Sequence, residues 1–137
     1  MAQPEKTNAG KFTKELMKEF KGWYQRINDI PFGAHAEKKL FDGVFTSKGI
    51  AFEFKFKDGG ATFNLDTEWR DREPHQEIGL RKFQDSGAGH GILLIFWKRK
   101  NRIHVCWHLV HDIIGIDKIP FDEWRDKEQL FSLISQY

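Results

Sequence analysis

Three charged residues on two adjacent segments form the part of this sequence best suited to chemistry. The segment IAFEFKFK, from Ile50 to Lys57, alternates apolar and charged residues, which predicts a strand with its phenylalanines on one face. Glu53 and Lys55 then share the opposite face. The preceding LFDGVF predicts an antiparallel partner strand joined through TSKG, and a two-residue loop in that turn places Asp42 directly opposite Glu53.

This trio suits metal-dependent hydrolysis of phosphodiester bonds. Two carboxylates on neighbouring strands supply the hard oxygen ligands that Mg²⁺ prefers, and Mg²⁺ keeps several waters and bridges to substrate phosphate. Lys55 would point at the same place, where it can orient or acidify the attacking water and offset the charge that builds on the pentavalent phosphorus. A solvated ladder of alternating charges, common in antiparallel sheets, is the structural alternative.

The composition indicates a single folded domain in a reducing compartment. A chain of 137 residues with 13 Phe and 5 Trp can bury a substantial core. Its single cysteine, Cys106, excludes an internal disulfide. The N-terminus lacks the apolar segment of a signal peptide, and the longest apolar run, GILLIFW, is too short to span a bilayer. We therefore expect a soluble, intracellular, cytoplasmic protein without a membrane partner.

Positive charge in this chain is local rather than global. The net charge of +2 gives no general argument for nucleic-acid binding. Phosphate contacts depend on local charge, however, and a basic cluster follows the apolar run. It consists of Lys98, Arg99, Lys100 and Arg102. A solvated hairpin turn is the alternative interpretation of this cluster.

The remaining periodicities predict helices and strands in the mixture typical of an α/β domain. Apolar residues recur every three or four positions from Lys11 to about Arg26, which predicts a first helix with the stripe Phe12, Leu16, Phe20, Trp23 and Ile27. Further predicted elements are a short strand at 61–63, a helix from Glu73-Pro74 to Ser86-Gly87, strands at 90–97 and 102–109, and a C-terminal helical segment at 121–137. Residues 1–10 are expected to form a flexible N-terminus.

Taken in order, these motifs resemble the PD-(D/E)xK nuclease superfamily. The closest likeness is to Holliday junction resolvases of the RecU and archaeal Hjc kinds, including phage versions. The shared series is an Asp strand, a Phe-Glu-x-Lys strand, a short polar link, a His-Gln pair on a helix and a Gly-rich entry to an apolar strand. In this chain the series is DGVF, GIAFEFK, FNL, HQ before Leu80, and GHGILLIF. The resemblance covers roughly residues 10–110.

This resemblance implies a fold and a set of site residues. The fold would be α/β and restriction-endonuclease-like, a central mixed β-sheet flanked by α-helices, with residues 11–137 as a single nuclease domain. Asp42 and Glu53 would be metal ligands, and Lys55 would be the catalytic lysine. Gln76 resembles the glutamine that positions a water or a backbone group near that lysine.

The resemblance also implies a third ligand, a cofactor and partners. In these families a glutamate of the first helix joins the metal site; Glu15 is the better match and Glu19 the alternative. The cofactor would be Mg²⁺ or Mn²⁺, and the partner branched or duplex DNA, with four-way junctions favoured. Lys57 and the basic cluster would contact that DNA. Two symmetric cuts require two active sites, so a homodimer is implied, with exposed aromatic surface on the first or the C-terminal helix as its contact.

Two departures from the family pattern leave other functions open. Phe41 stands where a proline usually precedes the first Asp, and the long stalk insertion of RecU does not fit between Ile30 and Asp42. The chain is therefore nearer the compact layout, which includes nucleases with other DNA substrates. A non-catalytic DNA-binding module using the same sheet and basic turn is a second hypothesis. A third is a small structural partner protein whose charged strand face is only solvated.

A rival site lies on the predicted strand at 102–109. His104, Cys106 and His108 alternate on one face, and His111 follows closely. Zinc binds such side chains, but structural zinc sites pair their ligands differently, and this chain has no C-x-x-C pair. A sheet face packed under the C-terminal helix is the favoured interpretation, ahead of zinc and of a nucleophilic Cys106.

Overall fold

A computed structural model describes residues 4–27 and 40–137 in full and, between them, the backbone of 30–32 and 35–37. It has an α/β architecture with three α-helices and nine strands in the described part. The helices are α1 (Pro4–Phe20), α2 (Pro74–Asp85) and α3 (Lys127–Ser135). The strands are β1 (Tyr24–Arg26), β2 (Ile30–Phe32), β3 (His35–Glu37), β4 (Gly43–Phe45), β5 (Ile50–Asp58), β6 (Thr62–Asn64), β7 (His90–Arg99), β8 (Arg102–Leu109) and β9 (Lys118–Pro120).

Five of these strands form the central sheet, in the order β1-β4-β5-β7-β8. β5 and β7 run parallel, whereas the other neighbours are antiparallel, so the predicted mixed central sheet is confirmed. α2 lies between β5 and β7 in the chain and provides the crossover that parallel neighbours need. None of the helices in the described segments is long and apolar enough to cross a membrane.

A separate apolar core lies against each face of the central sheet. The predicted alternation in β5 is confirmed, because Phe52 and Phe54 pack on one face while Glu53 lies on the other. On the phenylalanine face, α1 and α3 contribute the buried residues Phe12, Leu16, Leu130 and Ile134. On the opposite face, α2, β6, β9 and a π-helix at Asp66–Arg70 contribute Leu80, Phe63, Ile119 and Trp69. The second face carries the predicted site, so these elements shape its surroundings.

The first helix is displaced toward the N-terminus relative to its prediction. It begins at Pro4, which is favourable in a first helical turn, so residues 4–10 are helical rather than a flexible segment. It ends at Phe20, and Lys21 adopts a positive φ of 48°. The chain then enters β1, and Trp23 is 65% exposed rather than part of the buried stripe. The spacing that suggested a longer helix therefore spans a helix, a turn and a strand.

Several other elements match or correct their predictions. α2, β7 and β8 lie where the sequence predicted them, and α3 is preceded by a 3₁₀ turn at Phe121–Glu123. β6 exists but pairs with β9 outside the central sheet. The residues after β6, expected to be a loop, form the π-helix. The short connection expected before Asp42 contains the antiparallel pair β2 and β3.

Candidate active site

The predicted register between the two site strands is confirmed. β4 and β5 pair as Gly43 with Phe52 and Phe45 with Ile50, which is the pairing that a two-residue loop requires. β4 begins one residue after Asp42, and β5 continues beyond Phe52 without a strand partner on that side among the described residues. The site therefore lies where the short strand ends and the long strand leaves an open edge.

Backbone hydrogen bonds fix Asp42 at this edge. Its N–H donates to the carbonyl oxygen of Phe52 at 2.9 Å, and its own carbonyl oxygen accepts from the N–H of Ile27 at 2.8 Å. Its carboxylate Oδ2 accepts from the N–H of Phe54 at 2.7 Å. The carboxylate thus takes the place of a strand partner for Phe54, which holds it against the segment that carries Glu53.

Glu53 and Lys55 lie together on the partly covered face of β5. Glu53 is 1% exposed, Lys55 is 18% exposed, and Lys55 Nζ lies 3.6 Å from Glu53 Oε2. A solvated ladder of charges would leave both side chains in water, so that alternative is wrong. The same burial removes the premise of a structural partner protein whose charged strand face is only solvated.

The environment of Glu53 disfavours its negative charge. Burial raises the pKa of Glu53 well above its ordinary value of 4.5, and the nearby Asp42 carboxylate raises it further. The ammonium of Lys55 acts in the opposite direction, and the charge of Glu5 adds to the increase. Glu53 Oε1 is buried and has no hydrogen-bond partner among the described residues. Such an atom is costly unless something absent from the protein binds it.

The first-helix glutamate near the site is Glu5 and not Glu15. Glu15 forms an ion pair with Lys127 of α3, with Nζ and Oε1 2.8 Å apart, and both side chains are exposed. Glu19 is exposed and lies one turn farther along α1. Glu5 stands in the first turn, close enough to Glu53 for its charge to raise that residue's pKa. Predicting Glu5 required knowing that α1 begins at Pro4.

Tyr24 and Arg26 of β1 also belong to the site, although no sequence pattern pointed to them. Together with Glu5, Asp42 and Phe54 they line one concavity. The Tyr24 ring lies directly over Gly43, where a Cβ atom would come within 2.2 Å of the phenolic oxygen. Burial and the charges of Asp42 and Glu53 raise the pKa of Tyr24, so its hydroxyl stays protonated and can donate a hydrogen bond. The glycine directly after Asp42 is the one sequence feature that could have suggested a side chain packed over this position.

Gln76 is buried on the same side of α2 as Leu80. Its Oε1 accepts a hydrogen bond from the indole N–H of Trp69 at 2.8 Å. This bond ties α2 to the π-helix beneath the sheet. The role of Gln76 in positioning a group near Lys55 stays a prediction.

Lys57 is committed to contacts within the protein. Its Nζ lies 2.7 Å from Glu68 Oε1 and over the rings of Phe63 and Trp97, at 5.7 and 5.6 Å from their centroids. Glu68 is held in turn by the N–H of Asn64 at 2.8 Å. Since it is only 16% exposed, Lys57 is a structural lysine here, and the structure does not favour its predicted contact with DNA.

The predicted basic cluster forms the tip of the β7–β8 hairpin. Lys100 and Asn101 have positive φ angles of 50° and 61°, as a tight turn between two strands requires. The guanidinium of Arg99 lies 4.2 Å from the ring centroid of Phe121, whereas Lys100 and Arg102 are exposed. Ile95, the register partner of Lys55, precedes Lys100 by five residues of strand, roughly 16 Å. The tip is therefore peripheral to the site, and its contact with DNA stays a prediction.

The rival His and Cys face packs against protein. Cys106 is buried in the core, and burial raises the pKa of its thiol to about 12. His104 stacks edge-on with Phe121, and His108 Nε2 lies 3.0 Å from the carbonyl oxygen of Glu123. The segment that covers this face is therefore the 3₁₀ turn before α3 rather than α3 itself.

The residues at the open edge of β5 suit a divalent cation held with the help of substrate. Within the described ranges, no three His, Cys, Asp or Glu side chains are grouped so that they could hold a metal ion by themselves. Mg²⁺ is commonly bound by one or two carboxylates together with waters and phosphate oxygens. Asp42 and Glu53 provide that pair, and the unpartnered Glu53 Oε1 is the atom that a cation would satisfy.

Comparison with known proteins does not identify a family for this chain. The chain matches no protein-family model, and no curated protein matches it significantly.

Proposed function

We propose that this protein is a metal-dependent DNA endonuclease that hydrolyses phosphodiester bonds. The observation that carries the proposal is the buried carboxylate of Glu53, which lies beside Asp42, has one unpartnered oxygen and holds Lys55 3.6 Å away. A structural ion pair would satisfy both oxygens, because buried polar atoms rarely lack partners. Strongly raised pKa values of buried acids, such as that of Glu53, cluster at functional sites.

Each side chain has a separate role in this reaction. Asp42, fixed by its backbone hydrogen bonds, and Glu53 would hold Mg²⁺ or Mn²⁺. The bound ion would polarise the scissile phosphate and lower the pKa of a coordinated water. Lys55 would orient the attacking water and place its positive charge against the charge that develops on phosphorus. Tyr24 would donate its hydroxyl proton in a hydrogen bond at the same edge.

The proposed fold type is restriction-endonuclease-like. The described architecture is compatible with it in three respects. An antiparallel pair carries the Asp and the Glu-x-Lys strands, a helix leads into a parallel neighbour, and a helix before the sheet brings a glutamate to the site. In this proposal Glu5, rather than Glu15, is the first-helix glutamate of the metal site.

The favoured substrate is a four-way DNA junction, cut by paired symmetric nicks, as the sequence resemblance suggests. Another DNA substrate for a compact nuclease of the same superfamily is the alternative. Paired nicks need two active sites, which a homodimer supplies.

The experiment is incubation of the purified protein with a synthetic four-way junction, a linear duplex of the same sequence and its single strands, with and without Mg²⁺ or Mn²⁺. We expect cutting that depends on the cation and is lost in Asp42→Asn and Glu53→Gln. Glu19→Gln, which changes an exposed glutamate of α1 away from the site, is the matched control and should cut like the wild type.

The outcomes separate the hypotheses. Symmetric nicks confined to the junction support resolution of four-way junctions, and cutting of all duplexes supports a nuclease with a different substrate. Binding without any cation-dependent cutting, unchanged in Asp42→Asn, would contradict the proposal and favour a non-catalytic DNA-binding module.

A further inference from the structure

Two concavities meet at the open edge of β5. The first, of about 320 Å³, is lined by Lys6, Tyr24, Arg26 and Asp42, among others. The second, of about 260 Å³, is lined by Lys55, Glu68, Arg72 and Glu73, among others. Glu5 lines both, so the two adjoin at that residue, with Asp42 in the first and Lys55 in the second. We call this feature the edge groove.

Exposed positive charge lies on both sides of the edge groove. Lys6 and Arg26 are exposed on one side, and Arg72 is exposed on the other. None of the three has an ion pair or a side-chain hydrogen bond to another residue in the described ranges. The lysines and arginines that do have partners are mostly structural, as Lys57 and Arg70 show. Exposed cations without partners on both sides of a groove are suited to a chain of phosphates.

We propose that the edge groove binds the phosphodiester backbone of a single DNA strand, with Lys6 and Arg26 on one side of the scissile phosphate and Arg72 on the other. The inference rests on the proposed function only for the position of the cut. The DNA strand would pass the open edge of β5 at Glu5. Its scissile phosphate would meet Lys55 between the two groups of cations. The β7–β8 hairpin, roughly 16 Å farther along the sheet, would lie outside this contact.

The acidic residues of the edge groove make this binding dependent on a cation. Glu5 and Asp42 line the edge groove where the DNA strand would cross, and carboxylate charge there repels phosphate. A divalent cation at that point offsets the repulsion. Lys6, Arg26 and Arg72 lie on either side of the cation position rather than at it. Their contribution to affinity should therefore persist when the cation is removed.

The experiment measures binding of a fluorescently labelled single-stranded oligonucleotide by anisotropy, at several salt concentrations, in EDTA and in Ca²⁺, with gels to show that the DNA stays intact. We expect Arg26→Ala, Arg72→Ala and Lys6→Ala each to weaken binding by about fivefold or more and to lower the salt slope by about one. Lys18→Ala, an exposed lysine of the same helix as Lys6 but outside the groove, is the matched control and should bind like the wild type.

Because all three groove residues are exposed and have no side-chain partner among the residues that the structure describes, the variants should fold, and circular dichroism checks this. Arg26→Lys and Arg72→Lys keep the charge and should recover most of the affinity. Wild-type affinity and salt slope in all three alanine variants would overturn the inference. Weakened binding in these variants together with no cutting by the wild type would uphold the groove and contradict the nuclease proposal.

Discussion

Glu53 is the residue at which the proposed function and the stability of the fold conflict most clearly. A carboxylate that is 1% exposed, beside Asp42 and with one oxygen unpartnered, costs free energy in the folded protein. Lys55 compensates only in part, because it contacts the other oxygen at 3.6 Å. Functional sites commonly retain such destabilising groups, and their replacement then increases stability while it removes activity.

Glu53→Gln should therefore stabilise the protein in the absence of divalent cations. The expected gain in the free energy of unfolding is roughly 1–3 kcal/mol near neutral pH, because glutamine removes the buried negative charge while it keeps the size of the side chain. Because the pKa of Glu53 is raised in the folded state, the folded wild type binds more protons than the unfolded chain above pH 4.5. Its stability should fall as the pH rises through the raised pKa, and the gain from glutamine should grow over the same range. Chemical denaturation at several pH values measures both effects.

Mg²⁺ or Mn²⁺ should raise the melting temperature of the wild type but not that of Glu53→Gln, because a ligand of the folded state stabilises by mass action. Glu19→Gln is again the control and should respond like the wild type. A Glu53→Gln variant that is less stable than the wild type, with the same response to the cation, would identify Glu53 as an ordinary structural residue.

Cys106 should be chemically inert in the folded protein. Burial raises the pKa of its thiol to about 12, and the thiolate is the reactive form. We expect negligible reaction with a thiol reagent at pH 8 in the native state and complete reaction in guanidinium chloride. Rapid modification of the native protein would contradict the packed arrangement of the β8 face and reopen a role for Cys106.

At the scale of elements, the sequence was most informative where local rules decide the structure. The alternation in β5 and the short turn before it set the register that brings Asp42 to Glu53. α2, β7 and β8 followed from apolar periodicity and from turn residues. These features depend on residues close together in the chain, so pattern and turn length were enough.

The missed features depend on contacts between distant segments. The helical spacing from Phe12 to Ile27 continues past the true end of α1, but Trp23 is exposed, and Ile27 follows β1 and packs against the core that contains Trp69 and Leu80. Glu5 reaches the site only because α1 begins at Pro4 and packs beside β5. The π-helix owes its geometry partly to the network of Arg70, which binds Asp66 and Glu77. Local sequence patterns do not predict the end of α1, the position of Glu5 or the π-helix.

Gly89 should be essential for the close approach of β5 and β7 at their first residues. Its φ is 154°, and a Cβ atom there would lie 1.7 Å from the carbonyl oxygen of Gly49, which accepts a hydrogen bond from the N–H of His90. Gly89→Ala should lower the free energy of unfolding by about 3 kcal/mol or more, since backbone must move to make room. Urea denaturation provides the measurement.

Gly10→Ala provides the control for that substitution. Gly10 lies within α1, and a methyl group added there would have open space around it to 4 Å, so alanine should stabilise the helix by about 0.5–1 kcal/mol. Equal stability of Gly89→Ala and the wild type would show that the two strands are not packed as described.

At the scale of the whole molecule, the surface first expected to join two copies is used internally. Aromatic residues of α1 and α3 pack against each other, with Phe20 and Phe131 at 5.4 Å and Phe12 and Phe131 at 6.2 Å between ring centroids. The exposed large apolar side chains in the described ranges lie elsewhere and are Trp23, Leu40, Ile78, Ile103, Ile114 and Ile116. The homodimer and its contact surface stay predictions.

Paired nicks on a four-way junction predict two protein copies on each DNA molecule. Sedimentation velocity of the protein with an uncut junction in Ca²⁺ should show a complex that contains two chains. A linear duplex carrying one site is the control for binding by single copies. A one-chain complex that nicks only one strand would contradict the homodimer and favour a nuclease with a different substrate.

The most direct test of the nuclease proposal is the single-turnover rate of cation-dependent DNA cleavage in the wild type and in Lys55→Ala. Lys55 stands 3.6 Å from Glu53 and is only partly exposed, so its removal should leave cation binding largely intact while withdrawing charge from the transition state. We predict cleavage by the wild type in Mg²⁺ or Mn²⁺ and a rate in Lys55→Ala lower by about 10²-fold or more, the usual effect of losing one such stabilising group. Absence of cation-dependent cleavage by the wild type, or equal rates in the two proteins, would contradict it.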